Sequence, residues 1–456
     1  MRRLKYISIL MALAIAPLSG AGGQEVFSLK QCLDYAISNN SSLQKDRMGL
    51  ETSVQSKREL IGSLLPQMNA SSGLTYNIQK TAIAMPNFVN SMMPEAMRDP
   101  NAEKYMTVTM GMDYAANWGA SLSQQLINFS LFNALAITDA TAEMAELGVE
   151  MSEDDIIAQT ASIFYNIQVL EYAVSQFDES LALMSKTQDI LSVNKDNGLM
   201  RQVDVDRVTV AKTNMETERS LMVQALEIQK NLLKLQMGFP MTDRIAVETI
   251  DIDEMENQLK SSVHPMFQIE KLLPYQLVNK QLKLMDLQYK SAVYENLPSL
   301  GLSANYSMNY MGDDFKGETF HHFPVSMVAL NLRMPIFTGF SKTAKVKKAK
   351  IEIQKAQKDA RMLEQSLTMS HSNASMQFEQ QLRSIDSQRR NKDLAEEVFT
   401  VTQYNFDEGI SSLSDVLNAS SSLIEAKMNY VNALSNCMKA FIDLKTADGT
   451  IREINQ

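Results

Sequence analysis

Hydrophobic and polar positions change period several times along this chain, and the changes mark its parts. From Ser28 to about Leu65 apolar residues recur at helical spacing, with Leu29, Leu33, Ala36 and Ile37 on one face. The pattern stops at Leu65-Pro66, where proline cannot continue a helix. From Met68 the period becomes two: Met68, Ala70, Ser72, Leu74, Tyr76 and Ile78 alternate with Gln67, Asn69, Ser71, Gly73, Thr75 and Asn77. This predicts a strand with one apolar and one polar face. Residues 81–117, rich in Met, Pro and Asn, hold no sustained period and read as a long exposed loop. A second strand is expected from Trp118, with Ala120, Leu122 and Leu126 on one face.

Helical spacing then runs from about Leu131 to Asn194 without a proline, along a seam of Ile163, Ile167, Leu170, Val174, Phe177, Leu181, Met184 and Leu191. At 1.5 Å per residue this is a rod of roughly 100 Å, longer than a globular domain requires. A shorter helix is expected from Val203 to Met237, ended by Gly238-Phe239-Pro240. The same order then recurs. A helix from about Pro265 stops at Leu297-Pro298, and a strand alternates through Leu300, Leu302, Ala304, Tyr306, Met308 and Tyr310. After a loop around Gly312 to His322, a further strand ends near Met334-Pro335-Ile336-Phe337. A second long helix reaches Phe406 with Ala349, Ile353, Ala356, Ala360, Leu363 and Leu367 as its seam, and a last helix reaches Leu444.

The recurrence is gapless where it is strongest. Superposing Gly198 on Gly409 also superposes Asp204 on Asp415, Val205 on Val416 and Gly238 on Gly449. Internal repeats govern how everything else is read. We therefore divide the chain into a first repeat over residues 24–240, a linker over 241–264, a second repeat over 265–449 and a tail over 450–456. Each Gly follows a long helix and suits the left-handed conformation that ends one. Each Asp suits the start of the next, by capping and by the helix dipole.

Residues 1–23 read as a secretion signal. Arg2, Arg3 and Lys5 precede the apolar run Ile7 to Leu18, which is too short to span a bilayer, and small residues follow. The rest of the chain holds no apolar run long enough for a membrane helix, so it is either soluble or crosses a membrane as strands. The net charge of −10 argues against a nucleic-acid partner. Cys32 and Cys437 are the only cysteines; the expectation is two buried thiols, with a disulfide possible in an oxidising compartment.

Four amphipathic strands without a partner sheet would expose an apolar face in water, whereas lipid solvates it. Four strands cannot close a barrel, and open edges are not tolerated in hydrocarbon, so copies of the chain must pool strands. The long helices are then expected to project from one end as a coiled, partly hollow bundle.

At this point the chain resembles the TolC-like outer-membrane efflux protein family over nearly all of its length after the signal. The resemblance is carried by Leu33-Asp34-Tyr35-Ala36 with Asn39-Asn40, by Leu65-Pro66 and Leu297-Pro298, and by Gln125-Leu126-Ile127 and Met334-Pro335-Ile336-Phe337. Its strongest part is Gly409 to Ala419 with Ser422-Leu423 and Asn429 to Leu434. The resemblance implies an α+β membrane fold: a homotrimer with four strands per protomer in a twelve-stranded barrel, continued by a long α-helical periplasmic barrel. It implies a passive exit duct, without cofactor, whose partners are outer-membrane lipid, a periplasmic adaptor and an inner-membrane transporter of RND or ABC type. The family's closed mouth is ringed by acids in an Asp-Val-Leu-Asp-Ala pattern. Here Asp415 matches the first acid and Asn418 stands at the second, so one ring is kept and the other neutralised. The family's lock uses a Tyr before the reversal and an Arg after it, where this chain has Phe406 and Ser411.

The candidate gate is therefore Gly198, Asp204, Phe406, Gly409, Asp415 and Asn418. Beside this stands the plainer reading that Asp204 and Asp415 are ordinary helix starts. The Met-rich segment with Met85, Met92, Met93, Met97, Met106, Met110 and Met112 offers soft Cu(I) ligands, but Met is abundant throughout and flexible packing accounts for it. His264, His321, His322 and His371 lack metal-ligand spacing, and Glu153-Asp154-Asp155 reads as a solvated helical face. No nucleophile, paired acid or phosphate loop points to an enzyme. The rival function is a secreted coiled-coil scaffold, which leaves the strands without a role.

Overall fold

The computed structural model describes residues 25–249, 251–261, 267–314 and 321–455. The signal expectation and His264 lie outside them. In chain order the elements are β1 (Glu25–Phe27), α1 (Leu29–Asn39), α2 (Ser41–Leu64), β2 (Gln67–Tyr76), β3 (Thr81–Pro86), α3 (Phe88–Met92), β4 (Tyr105–Met110), β5 (Tyr114–Ile127), α4 (Phe129–Asp196), α5 (Gln202–Met237), β6 (Ile245–Val247), α6 (Ile252–Ser261), α7 (Leu273–Tyr294), β7 (Ser299–Gly312), β8 (His321–Arg333), α8 (Ser341–Asp407) and α9 (Leu413–Ala447). The chain forms two compact units, each drawing segments from both halves of the sequence.

One unit, residues 49–147 and 277–361, holds a four-stranded sheet of order β2-β5-β7-β8, antiparallel throughout. Its register puts the apolar sets read from the sequence on one face: Met68 opposes Leu122, Leu122 opposes Ala304, and Ala304 opposes Val328. On that face Tyr76 meets Tyr114 at 4.9 Å between ring centroids, and Trp118 meets Tyr306 at 6.1 Å. Aromatic rings toward one end of an apolar band are how strands seat in a bilayer interface. The opposite face carries Asn69, Ser121 and Asn305 in one row and Ser71, Gly119 and Ser307 in the next.

Several boundaries differ from the sequence reading. The expected loop 81–117 contains a hairpin, with β3 and β4 paired from Thr81↔Met110 to Pro86↔Tyr105, and β5 begins at Tyr114, four residues before Trp118. Leu126 does not extend the apolar face, because the register slips between Gln125 and Ile127. The last strand ends at Arg333, short of Met334-Pro335. The first helix is two: Asn40 breaks it, its side-chain oxygen accepting from the backbone N–H of Ser42 and Leu43 to start α2.

The other unit, residues 25–48, 148–276 and 362–456 among those described, is helical with a small belt. β6 pairs in parallel with β1, and the amphipathic α6 follows it. The buried seam of α8 here steps in sevens through Phe378, Ile385 and Phe399. Phe378 and Ile385 pack with Val169, Ala173, Leu434, Cys437 and Met438 in the main cluster. Cys32 and Cys437 are both buried and unpaired, and burial pushes each thiol up to about 12. They are inert as nucleophiles in this state.

Candidate functional site

Two chain reversals lie in the helical unit, one between α4 and α5 and one between α8 and α9. Gly198 and Gly409 both have φ of 75°. At each, the two residues closing the helix donate back in the same way: Gly198 and Leu199 to the carbonyls of Lys195 and Asn194, Gly409 and Ile410 to those of Phe406 and Asn405. This Schellman closure satisfies the last carbonyls of α4 and α8 and needs a residue tolerant of positive φ. Gly238 and Gly449 make the same closure, with φ of 70° and 72°. The glycine pairs aligned in the sequence are thus alike in conformation.

The two reversals share one core. Leu191 and Val208 flank the first, Leu413 and Phe406 flank the second, and all four belong to a single cluster with Phe177, Met184 and Met215. Phe406 is half-buried in it and also packs beside Phe399, Val416 and Leu423. The residue following each glycine is instead left outside: Leu199 and Ile410 are each 75% exposed.

Asp204 and Asp415 occupy the same place, the third residue of the helix after the turn, but in different surroundings. Ser412 caps α9: its Oγ accepts from the Asp415 N–H at 3.2 Å, and the Asp415 carboxylate accepts from the Ser412 N–H at 2.9 Å and from its Oγ at 2.6 Å. These bonds, the side-chain one first, hold the Asp415 carboxyl below the usual range while it stays exposed. No such box starts α5, where Arg201 is the cap residue. The Arg201 guanidinium donates to Asp204 at 3.1 and 3.3 Å, Arg207 lies 3.9 Å away, and Asp204 is only 7% exposed.

Charge divides accordingly. Around the first turn Asp196, Asp204 and Asp206 are balanced by Lys195, Arg201 and Arg207, and Lys195 and Arg201 are in ion pairs there. Around the second, Asp407, Glu408 and Asp415 are acidic and no Lys or Arg lies between Asp407 and Asn418. Asn418 is exposed one turn further along α9. Residue pattern alone missed Arg201, whose pairing partner is only three positions on and was readable as an i, i+3 pair.

A second polar centre, buried in the belt, was not anticipated. Glu256 on α6 is 1% exposed and accepts from the Tyr430 hydroxyl, from Arg389 at 3.0 Å and from Lys260 at 3.3 Å. Arg389 also reaches Asp253 at 2.7 Å, and Lys260 reaches Asp386 at 2.8 Å. Burial first and Glu256 second push the Tyr430 hydroxyl up, so it remains a donor. His371 stacks on Phe267 at 4.1 Å and sits 2.8 Å from the buried Asp448 carboxylate.

The described residues thus hold a sheet with one lipid-compatible face and two open edges, and two helices of 68 and 67 residues that turn back on glycine. The outer membrane efflux protein family model matches residues 278–450. The outer membrane protein TolC of Escherichia coli K12 is 20% identical over 463 residues, covering 98% of this chain and 87% of that protein. TolC of Vibrio cholerae is 24% identical over 159 residues, covering 35% and 36%. Among solved structures, CusC superposes with a TM-score of 0.73 at 15% identity, covering 94% of this chain and 95% of that one. The Campylobacter jejuni CmeC outer membrane channel does so at 0.69 and 16%, covering 92% and 85%. The chain is similar to outer membrane efflux proteins of the TolC type along nearly its whole length. The proteins it resembles are outer membrane proteins and channels.

Proposed function

We propose that three copies of this chain form the duct, and that the observation carrying this is the sheet itself. β2, β5, β7 and the end of β8 from Val328 to Leu332 present their apolar residues to one face, while among the described residues β2 and β8 each keep an unpaired edge. Lipid accepts that face but not those edges, so β8 of one copy pairs with β2 of the next until the ring closes. Exposed apolar positions on α8 support the same assembly: Leu394, Val398, Val401 and Tyr404 recur at threes and fours on a face unused within the chain. We read the chain as two repeats, residues 24–240 and 265–449, joined by a linker, each giving two strands and a helix pair.

In this reading the paired reversals form the periplasmic mouth, with Gly198 and Gly409 as its bends and Phe406 as internal packing. Asp415 is both a helix cap and a mouth charge, since capping leaves its carboxylate ionised and exposed. Threefold repetition of Asp407, Glu408 and Asp415 focuses a negative potential there and favours cations. Exposed Leu199 and Ile410 offer an apolar rim to a periplasmic adaptor, which links the duct to an RND or ABC transporter. The duct itself is passive and performs no catalysis. Native mass spectrometry of the detergent-purified protein tests the assembly: a trimer is expected, and a monomer or dimer as the inserted species would overturn it.

A further inference from the structure

The face of the sheet away from lipid is polar on three strands and apolar on the fourth. On β2, β5 and β7 it is built almost wholly of Ser, Asn, Gln, Gly and Thr, from Gln67 and Ser123 to Gly73 and Asn309. On β8 the residues opposing Asn309, Ser307, Asn305 and Ser303 are Phe323, Val325, Met327 and Ala329. The alternation inverts within this one strand, because His322, Pro324 and Ser326 stand on the lipid side at the same level. The hydrogen bond of 3.0 Å from Asn331 to Ser303 Oγ fixes which face is which. Phe323, Val325 and Met327 are 52%, 46% and 55% exposed, so they serve no core of this chain.

Three large apolar side chains in register on a surface of hydroxyls and amides carry a standing cost in water, which contact with an apolar solute removes. The track from Phe323 to Ala329 is roughly 20 Å long at about 3.4 Å per residue, long enough for an extended amphiphile. Among the described strand residues this face holds no carboxylate, and its Arg333 and His321 stand at the two ends of β8. Charge therefore does not sort cargo along this stretch. Resting on the duct reading above, we infer that the β8 track is a guiding surface for amphiphilic small molecules. One apolar moiety slides along Phe323, Val325 and Met327 while polar groups face the Ser/Asn wall.

The test uses two monovalent cations of opposite character, tetraphenylphosphonium and tetramethylammonium, added from the barrel side to single channels in a planar bilayer. Tetraphenylphosphonium should interrupt the current with dwell times at least ~10-fold longer, equivalent to about 1.4 kcal/mol. Combined Phe323→Thr, Val325→Thr and Met327→Thr should abolish the difference without changing conductance in small ions. To separate the track from any folding defect, Val325→Cys is modified with a neutral hydrophilic thiol reagent after assembly; Cys32 and Cys437 are buried and spared. Modification should shorten tetraphenylphosphonium dwells severalfold. A channel that conducts but treats both cations alike, or keeps its long dwells after modification, overturns the track. Protein that inserts as a trimer and never conducts overturns the duct reading, and the track with it.

Discussion

Removing either partner of the Glu256 centre should have unequal consequences. Glu256 lies 1% exposed with three donors, whereas Arg389 and Lys260 are 39% and 41% exposed and each holds a second carboxylate, Asp253 and Asp386. Arg389→Leu strips a buried carboxylate of its strongest cation, a change that costs about 3–5 kcal/mol when the remaining charge stays buried. Glu256→Leu leaves both cations paired near solvent and strands only the Tyr430 hydroxyl, at about 1–3 kcal/mol. Because α6 is held to α8 and α9 through this centre, the difference should appear as local opening of α6 rather than global unfolding. Native-state hydrogen exchange of a peptide spanning Ile252–Ser261 reads it. Protection should fall by about 100-fold or more in Arg389→Leu, and by clearly less in Glu256→Leu, taking 1.4 kcal/mol as tenfold. Equal losses in the two variants would refute the reasoning, as would unchanged protection in Arg389→Leu.

Other outcomes follow from the reversal turns. Gly238→Ala should prevent accumulation of folded protein, since a Cβ there would lie 2.6 Å from the Asn39 carbonyl at φ of 70°, whereas Gly409→Ala meets open space and should cost only about 1–2 kcal/mol, read by thermal unfolding. Ser412→Ala should lower stability by about 1 kcal/mol through loss of the α9 cap. Asp415 is held below its ordinary value of 3.8, so its contribution is present above the unfolded value and disappears as pH falls through the folded one. In Ser412→Ala that carboxyl should therefore protonate at higher pH, and cation preference measured across an acid series should fade earlier than in the parent. Arg201→Gln should strengthen cation preference by leaving Asp204 with only the distant Arg207, and reversal potentials would show it.

β2, β5 and β7 were legible because lipid on one side imposes alternation, and Met68, Leu122 and Ala304 needed no knowledge of their neighbours to be placed together. The glycine bends were legible because the sequence states them twice. The β3–β4 hairpin was not, since Thr81–Pro86 and Tyr105–Met110 alternate over only six residues each and are separated by a helix and turns. The break at Asn40 hid inside continuous apolar spacing, being a matter of one side chain accepting two backbone donors. At the candidate site, Asp204 and Asp415 looked equivalent in sequence, and only their caps, Arg201 and Ser412, separate a neutralised acid from an exposed one. Glu256 drew no reading from the sequence; its burial depends on Arg389 and Tyr430, which lie more than a hundred residues away and leave no local trace.

Single-channel recording on the purified protein in a planar bilayer, with a salt gradient to read ion preference, tests the duct and its acidic mouth together. The account predicts small, discrete, cation-preferring steps whose preference weakens in Asp415→Asn. Anion preference, or an Asp415→Asn channel indistinguishable from the parent, would contradict it.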